Sequence, residues 1–364
     1  MYEASDKSKT SAVVRYIENL WLWKKPNMHR LRKPYLLFLG DVRDKLTAKT
    51  AFGLKDWCPD DVVGEWSLPG CGVTLGLSRL SPREAAAHGA GSIVVGIAPT
   101  GGTLPAHWVA ELAAAADAGL DVVSGLHTRL TSFPDLVQAA SRRGVRLIDV
   151  RHSDRTYGAA TGRKRSGKRV LTVGTDCALG KKYTALALAK NLRERGVDAS
   201  FRATGQTGVM ISGEGIAIDA VIADFVAGAA EQLSPDNAAD HWDVIEGQGS
   251  LFHPAYAGVT LGLLHGSQPD AIVLCHDPSR RTIDEYPDFP IPDLQAAIDD
   301  YLRAGRLTNP AIRCVGLSIN SSTLSDADCA EYFRGLTAEL GLPVCDPVRT
   351  GVDVLATALL APLR

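Results

Sequence analysis

One stretch constrains this chain more than any other: Arg169-Val-Leu-Thr-Val-Gly-Thr-Asp-Cys-Ala-Leu-Gly-Lys-Lys-Tyr-Thr-Ala-Leu-Ala-Leu-Ala-Lys-Asn-Leu192. It predicts a short buried strand over Val170–Val173, a glycine-bounded loop and then a helix, because Ala185, Leu188, Ala189 and Leu192 share one helical face. Gly196 stands where a left-handed C-terminal cap belongs. A loop between a strand end and a helix N-terminus aims several backbone N–H groups at one point. The helix macrodipole adds partial positive charge there, which suits a phosphate. Lys181, first in the helix, supplies a full charge. The candidate cofactor cradle is therefore Gly174, Thr175, Asp176, Cys177, Ala178, Leu179, Gly180, Lys181, Lys182 and Tyr183. The plain alternative is a strand–turn–helix with incidental glycines.

Two departures from the usual phosphate-loop pattern are informative. The loop has one extra residue between Gly174 and Gly180, and Lys182 stands where most such loops carry Ser or Thr. That hydroxyl normally ligates the Mg²⁺ of a bound nucleotide, and Thr184 comes two residues too late to replace it. An ammonium cannot ligate a metal, but it can neutralise a further phosphate. The loop thus predicts a phosphorylated ligand and neither metal-assisted phosphoryl transfer nor a bound metal.

At 364 residues the chain suits two domains, and 45% hydrophobic with 22% charged residues is the balance of a soluble globular protein. A net charge of −2 gives no broad electrostatic reason for nucleic-acid or membrane partners. Seven cysteines without a CxxC pair point to a reducing, cytoplasmic setting. No run is long and apolar enough to span a bilayer, and the first residues lack signal-peptide order. Residues 1–27, ahead of Met28, read as an optional extension in which Val13, Val14, Ile17, Leu20 and Trp21 make a short amphipathic helix.

From Pro34 apolar strands alternate with helical stretches: strands at Tyr35–Leu39, Val62–Trp66, Ser92–Ile97, Asp121 onward and Val145–Val150, helices at Thr47–Trp57, His107–Gly119 and Pro134–Arg143. Such βα alternation predicts an open, mainly parallel sheet with functional groups at its C-terminal strand ends, where His127, Asp149 and Arg151 lie. Leu68–Gly76 is a glycine-rich turn whose spacing does not fit a dinucleotide fingerprint. Residues 28–152 read as the first domain, the basic stretch 153–168 as a solvated linker, and 169–364 as the second domain. There, further strands are expected at Ala199–Ala203, Trp242–Glu246, Ala271–Cys275, Ile312–Ile319 and Leu342–Cys345. Helices are expected at Asp293–Ala304, Ser325–Leu340 and Gly351–Leu360, a strand–helix transition within Ile216–Ala229, and a surface loop over Tyr286–Pro292.

The strand ends of this second half resemble the dethiobiotin synthetase-like branch of P-loop proteins. The likeness rests on the Gly-Thr-Asp-x-x-x-Gly-Lys loop, Arg202-Ala-Thr-Gly205, Glu246-Gly-Gln-Gly249 and Asn320, which matches that branch's adenine-contacting asparagine. A closer resemblance runs from about Pro34 over nearly the whole chain. Gly96-Ile-Ala-Pro-Thr-Gly-Gly-Thr-Leu-Pro105, Ser124-Gly-Leu-His127, the loop itself, Thr204-Gly-Gln-Thr-Gly208, Asp219 to Glu231 and Glu246-Gly-Gln-Gly-Ser250 look like one bacterial family. That family was long catalogued as a domain of unknown function, sometimes labelled an NAD-dependent epimerase or dehydratase, and its characterised member is a D-glutamate N-acetyltransferase. The resemblance implies an α/β protein with an N-terminal Rossmann-like open parallel sheet and a C-terminal P-loop NTPase-like parallel sheet. It implies acetyl-CoA as donor and an amino acid, D-glutamate or a relative, as acceptor; a homodimer is expected. Lys182 agrees with that family and departs from its ATP-using relatives.

Amine attack on a thioester needs a base for the acceptor nitrogen and donors for the oxyanion. Glu246 and Asp219 are the candidate bases, unless they only hold loops; the N–H groups of Gly247 to Ser250, or His253, are the candidate oxyanion donors. Arg202, Arg280 and Arg281 are candidate partners for substrate carboxylates, with Thr204, Gln206 and Ser250 nearby in the motifs, unless the arginines serve surface salt bridges. Cys177 either packs in the loop or carries an acyl group. The rival functions are an ATP-dependent kinase or ligase and a non-catalytic nucleotide-binding module.

Overall fold

A computed structural model describes residues 31–152 and 155–362; the expected N-terminal extension and its short helix lie outside the described residues. The first half runs β1 (Tyr35–Gly40), α1 (Lys49–Trp57), β2 (Val62–Ser67), α2 (Pro82–Ala87), β3 (Ser92–Val95), α3 (Val109–Asp117), β4 (Asp121–Ser124), α4 (Pro134–Arg143) and β5 (Leu147–Asp149). Its five strands form one parallel sheet in the order β2-β1-β3-β4-β5. The central strands are mostly apolar because helices cover both faces, and every residue of β1, β3 and β4 is buried, with the polar Ser92, Asp121 and Ser124 only at strand ends. Local chemistry sets the ends: a capping box of Ser81 with Glu84 starts α2, and α4 runs from Pro134 to Gly144, which adopts φ 64°.

The second half runs β6 (Lys168–Gly174), α5 (Lys181–Glu194), β7 (Ala199–Arg202), α6 (Gln206–Ser212), α7 (Val226–Leu233), β8 (Trp242–Ile245), α8 (Ala257–Ser267), β9 (Ala271–His276), β10 (Thr282–Ile283), β11 (Tyr286–Pro290), α9 (Leu294–Gly305), β12 (Arg313–Ile319), α10 (Asp326–Leu340), β13 (Val344–Cys345) and α11 (Asp353–Leu360). Its main sheet is also parallel, ordered β13-β12-β9-β6-β8-β7. With β6 between β8 and β9, the phosphate loop opens at the middle of the C-terminal edge. This two-domain α/β architecture is the expected one.

Four local expectations change. Ile216–Ala229 contains no strand: two single 3₁₀ turns, Ile218–Ala220 and Ala223–Phe225, lead into α7. Tyr286–Pro290, expected as surface loop, is β11 and pairs antiparallel with β10 across a turn in which Glu285 takes φ 65°. Helix α6 has seven residues with glycines at both caps, so its sequence reads as loop. Helix α8 hides behind Gly262 and Gly266, which are needed because α7 lies against them: a Cβ on Gly266 would stand 2.1 Å from Ala227 O.

From Arg155 on, the basic stretch is mostly exposed, yet it is tied as a strap to the second domain along its length. Arg163 pairs with Asp236, Lys164 Nζ lies 2.8 Å from Asp270, and buried Arg165 donates to the Gly266 and Ser267 carbonyls. The two halves meet where α6 lies on α1. Met210 enters the core of the first sheet beside Leu39 and Val123, Thr50 and Thr207 hydroxyls are 2.9 Å apart, and Tyr183 OH donates to Asp56 at 2.5 Å.

Candidate functional site

The phosphate loop is closed by its own polar groups. Asp176 is fully buried: one oxygen accepts from Cys177 N at 2.6 Å, the other from Asp284 N at 2.9 Å and Arg280 Nη1 at 2.5 Å. Lys181 Nζ arches over the loop to Asp176 O at 2.7 Å, and Tyr301 OH on α9 donates to Gly174 O at 2.8 Å. Ala178 (φ 55°) and Gly180 (φ 101°) supply the left-handed bends, and buried Leu179 pins the turn between them. Thr175 is held through its hydroxyl to His276 Nδ1 at 3.0 Å. Backbone N–H groups at the head of the 14-residue α5, next to Lys181, form an anion cradle.

Lys182 points out of this loop toward the domain junction. A Cβ on Gly53 of α1 would lie 2.7 Å from its ammonium. Burial pulls its pKa down to about 8, against the pull of the nearby Glu246 charge. Burial also raises the Glu246 pKa, opposed first by the Thr204 N–H and then by Lys182. Glu246 Oε2 accepts from Thr204 N at 2.9 Å and Gly205 N at 3.1 Å, so this carboxylate does hold a loop; its other oxygen has no hydrogen bond among the described residues. Gly208 is obligatory here, since a Cβ would sit 2.3 Å from Oε2. Gln248 Nε2 reaches Thr204 Oγ1 at 3.1 Å, and the Gln206 side chain fills the space a Cβ on Gly125 would take. Three quoted motifs, from both halves of the chain, thus converge on Glu246.

The remaining candidates scatter. Asp219 forms an ion pair with Arg151 across the domain junction and leaves its Oδ1 buried without a partner, so it is no free base. Buried His253 is neutral: its Nδ1 accepts from Ala255 N at 3.1 Å, which leaves the proton on Nε2, and burial lowers its pKa. Of the expected oxyanion donors, Gly247 N is spent on Thr172 Oγ1 at 2.9 Å; Ser250, expected near the substrate, accepts from Phe252 N through its Oγ at 3.2 Å. Arg202 reaches back to Asp243 at 2.6 Å, within a buried network with Ser234 and His241, and is committed there. Arg280 is a strut of the loop, while Arg281 is exposed. Asn320, two strands from β6, donates to Asp277 at 3.0 Å. Tyr183 closes the domain junction with an edge contact to Trp57. Burial raises the Cys177 thiol, which argues against a resting thiolate nucleophile. Asp176, Cys177 and His253 carry the one group of metal-ligand spacing among the described residues, within 4.8 Å, but Arg280 already neutralises its carboxylate.

Sequence reasoning missed Lys49, at the start of α1. Its ammonium, lowered by desolvation, lies in the field of Cys177, Arg151, Asp284 and Arg280 beside the loop mouth. The only available signal was its place after the C-terminal end of β1.

Comparison with known proteins agrees with this architecture. Residues 156–356 match a domain of unknown function described as the DUF1611 C-terminal P-loop domain, and residues 66–153 match the DUF1611 N-terminal Rossmann-like domain. Proteins of Tritonibacter scottomollicae and a Pseudoalteromonas species, both named D-glutamate N-acetyltransferase, are each 48% identical over 91% of this chain and 99% of their own length. A crystal structure of a DUF1611 family protein from Anabaena variabilis superposes with a TM-score of 0.80 at 35% identity, covering 90% of this chain and 99% of that one.

Proposed function

The chain belongs to the DUF1611 family, and from that premise we propose that it is an N-acetyltransferase that moves an acetyl group from acetyl-CoA to the amino group of D-glutamate. The observation that carries the reading is the 48% identity to D-glutamate N-acetyltransferases over 91% of the chain. The geometry is in keeping with it: a phosphate cradle with Lys181, and a second ammonium, Lys182, in place of the hydroxyl that would hold Mg²⁺.

Coenzyme A brings a pyrophosphate to that cradle and a thioester on a long flexible arm. The acceptor nitrogen, once deprotonated, attacks the thioester carbonyl; the C–N bond forms, negative charge collects on the carbonyl oxygen, and the C–S bond then breaks to release the thiolate. Glu246 is our candidate base, because burial raises its pKa and one carboxylate oxygen is left open. The proton it takes from nitrogen ends on the departing sulfur. The Nε2–H of neutral His253 is the candidate oxyanion donor. No step calls for a metal. Seven unpaired cysteines accord with a reducing compartment such as the cytoplasm, and we read the enzyme as a homodimer, which sedimentation would count.

The test is release of free thiol from acetyl-CoA, with chelator present, across a panel of D- and L-amino acids. Release is expected with D-glutamate and not with its L-enantiomer. Metal-dependent ATP hydrolysis without any acyl transfer would sink the proposal.

A further inference from the structure

We propose that the cleft between the end of β5 and the 3₁₀ turns before α7 binds a small dicarboxylate, and that it seats the acceptor. This deepens the acetyltransferase reading and rests on it for the occupant's identity. The cleft is about 260 Å³, below the roughly 300–1,000 Å³ of sites for drug-sized ligands, so it suits one amino acid and not a whole nucleotide cofactor. Its cations come from two places: Arg129 and Arg151 from the first domain, Arg155 from the strap. The opposite wall is apolar, built by Tyr157, Phe225 and Ile222, the last 70% exposed. Arg129 offers a guanidinium fork, Arg151, shared with Asp219, adds positive charge behind it, and a hydrocarbon wall that faces them matches the methylenes of a molecule with carboxylates at its ends.

The position is also right. Arg151 is fixed at the domain junction, donating to Gly125 O and paired with Asp219. Asp219 follows Ile218, whose N–H donates at 2.9 Å to the carbonyl of Thr204, itself held by Glu246. The segment that carries Asp219 thus ties the cleft to the loop beside the candidate base. The Arg129 side chain makes no hydrogen bond or ion pair among the described residues and is exposed, so it is the natural one to vary without disturbing the fold.

The phosphate of a cofactor shares the anionic chemistry, and the experiment separates the two sources. Titrate the full-length protein and its Arg129→Ala and Ile222→Asp variants calorimetrically with D-glutamate, with glutarate and with CoA. Both substitutions should weaken D-glutamate and glutarate at least about tenfold, raise KM for the acceptor with kcat within about twofold, and leave CoA affinity unchanged. Loss of CoA affinity with acceptor affinity intact would assign the cleft to the cofactor and overturn the proposal, as would variants indistinguishable from wild type. Glutarate has no amine to acetylate, so its binding tests the cleft even where the transfer reading fails. No glutarate binding to wild type overturns the cleft alone.

Discussion

Lys182 and Glu246 form a pair whose protonation states the burial of each one sets against its charge. Burial lowers the lysine to about 8 and raises the carboxyl above its ordinary value. A base works only once deprotonated, so turnover should climb as pH passes the Glu246 pKa. The Lys182 ammonium faces the domain junction and acts on a phosphate in the cradle only through its field; as that charge is lost above about pH 8, CoA affinity should fall, giving a bell-shaped profile. Lys182→Arg stays charged throughout, and its CoA Kd should be flat from pH 7 to pH 9.5; profiles that run parallel to wild type would show that the Lys182 charge does not reach the phosphates. Glu246→Gln still offers an oxygen to the Thr204 and Gly205 N–H groups. It should leave thermal stability nearly unchanged while lowering kcat by about 10² to 10⁴. Equal loss of both would reduce Glu246 to a loop brace. Lys182 and Glu246 could be singled out as candidates in the sequence, because motif spacing is local. The commitments of Asp219 and Arg202 were not: their partners, Arg151 and Asp243, stand 68 and 41 residues away, and nothing at those positions announces the pairing.

At the scale of elements, β6, the loop and α5 were readable because one apolar face and one glycine fix each of them. The expected helix face, Ala185, Leu188, Ala189 and Leu192, is buried, and Gly196 takes φ 78°. Legibility fails where tertiary contact overrides local pattern. The turn into β11 requires a positive φ at Glu285, a residue type that does not advertise one. Helix α8 carries glycines that cost helical propensity but let α7 approach, so its sequence looks broken although its packing is close. The same reasoning locates the element most sensitive to change. Gly247 stands where β8 gives way to the Glu246–Ser250 loop, and a Cβ there would be 1.7 Å from Thr172 O and 3.0 Å from Lys181 Cδ. Gly247→Ala must push β6 and β8 apart or displace the loop lysine. We expect about 1–3 kcal/mol lost from stability and at least tenfold from CoA affinity, read by denaturant unfolding and calorimetry. A variant that keeps both would mean the loop yields freely and is not the rigid cradle described here.

For the whole molecule, the feature with the widest consequence is that the two domains do not have separate cores. Met210, on α6 of the second domain, is fully buried among Leu39, Val123 and Ile148 of the first, and the shared face is tightened by Thr50 with Thr207, Tyr183 with Asp56, and Arg151 with Asp219. Polar contacts of this kind each contribute on the order of 1 kcal/mol, while deleting a buried methionine side chain costs about 2–5 kcal/mol, so the apolar insertion dominates the coupling. Domain interfaces within a chain are more often polar and permissive of motion; this one should instead make the domains melt together. Wild type is expected to unfold in one calorimetric transition whose van't Hoff and calorimetric enthalpies agree. Met210→Ala should lower the midpoint by several degrees, and Met210→Asp, which forces an unpaired charge into the first domain's core, should split the transition in two. The proposed acceptor cleft straddles the same junction, so uncoupling should also weaken acceptor binding in Met210→Ala while the phosphate cradle, inside the second domain, keeps its affinity for CoA. Two separate transitions already in wild type, or a Met210→Ala protein that melts with wild type, would show that the domains fold and act independently.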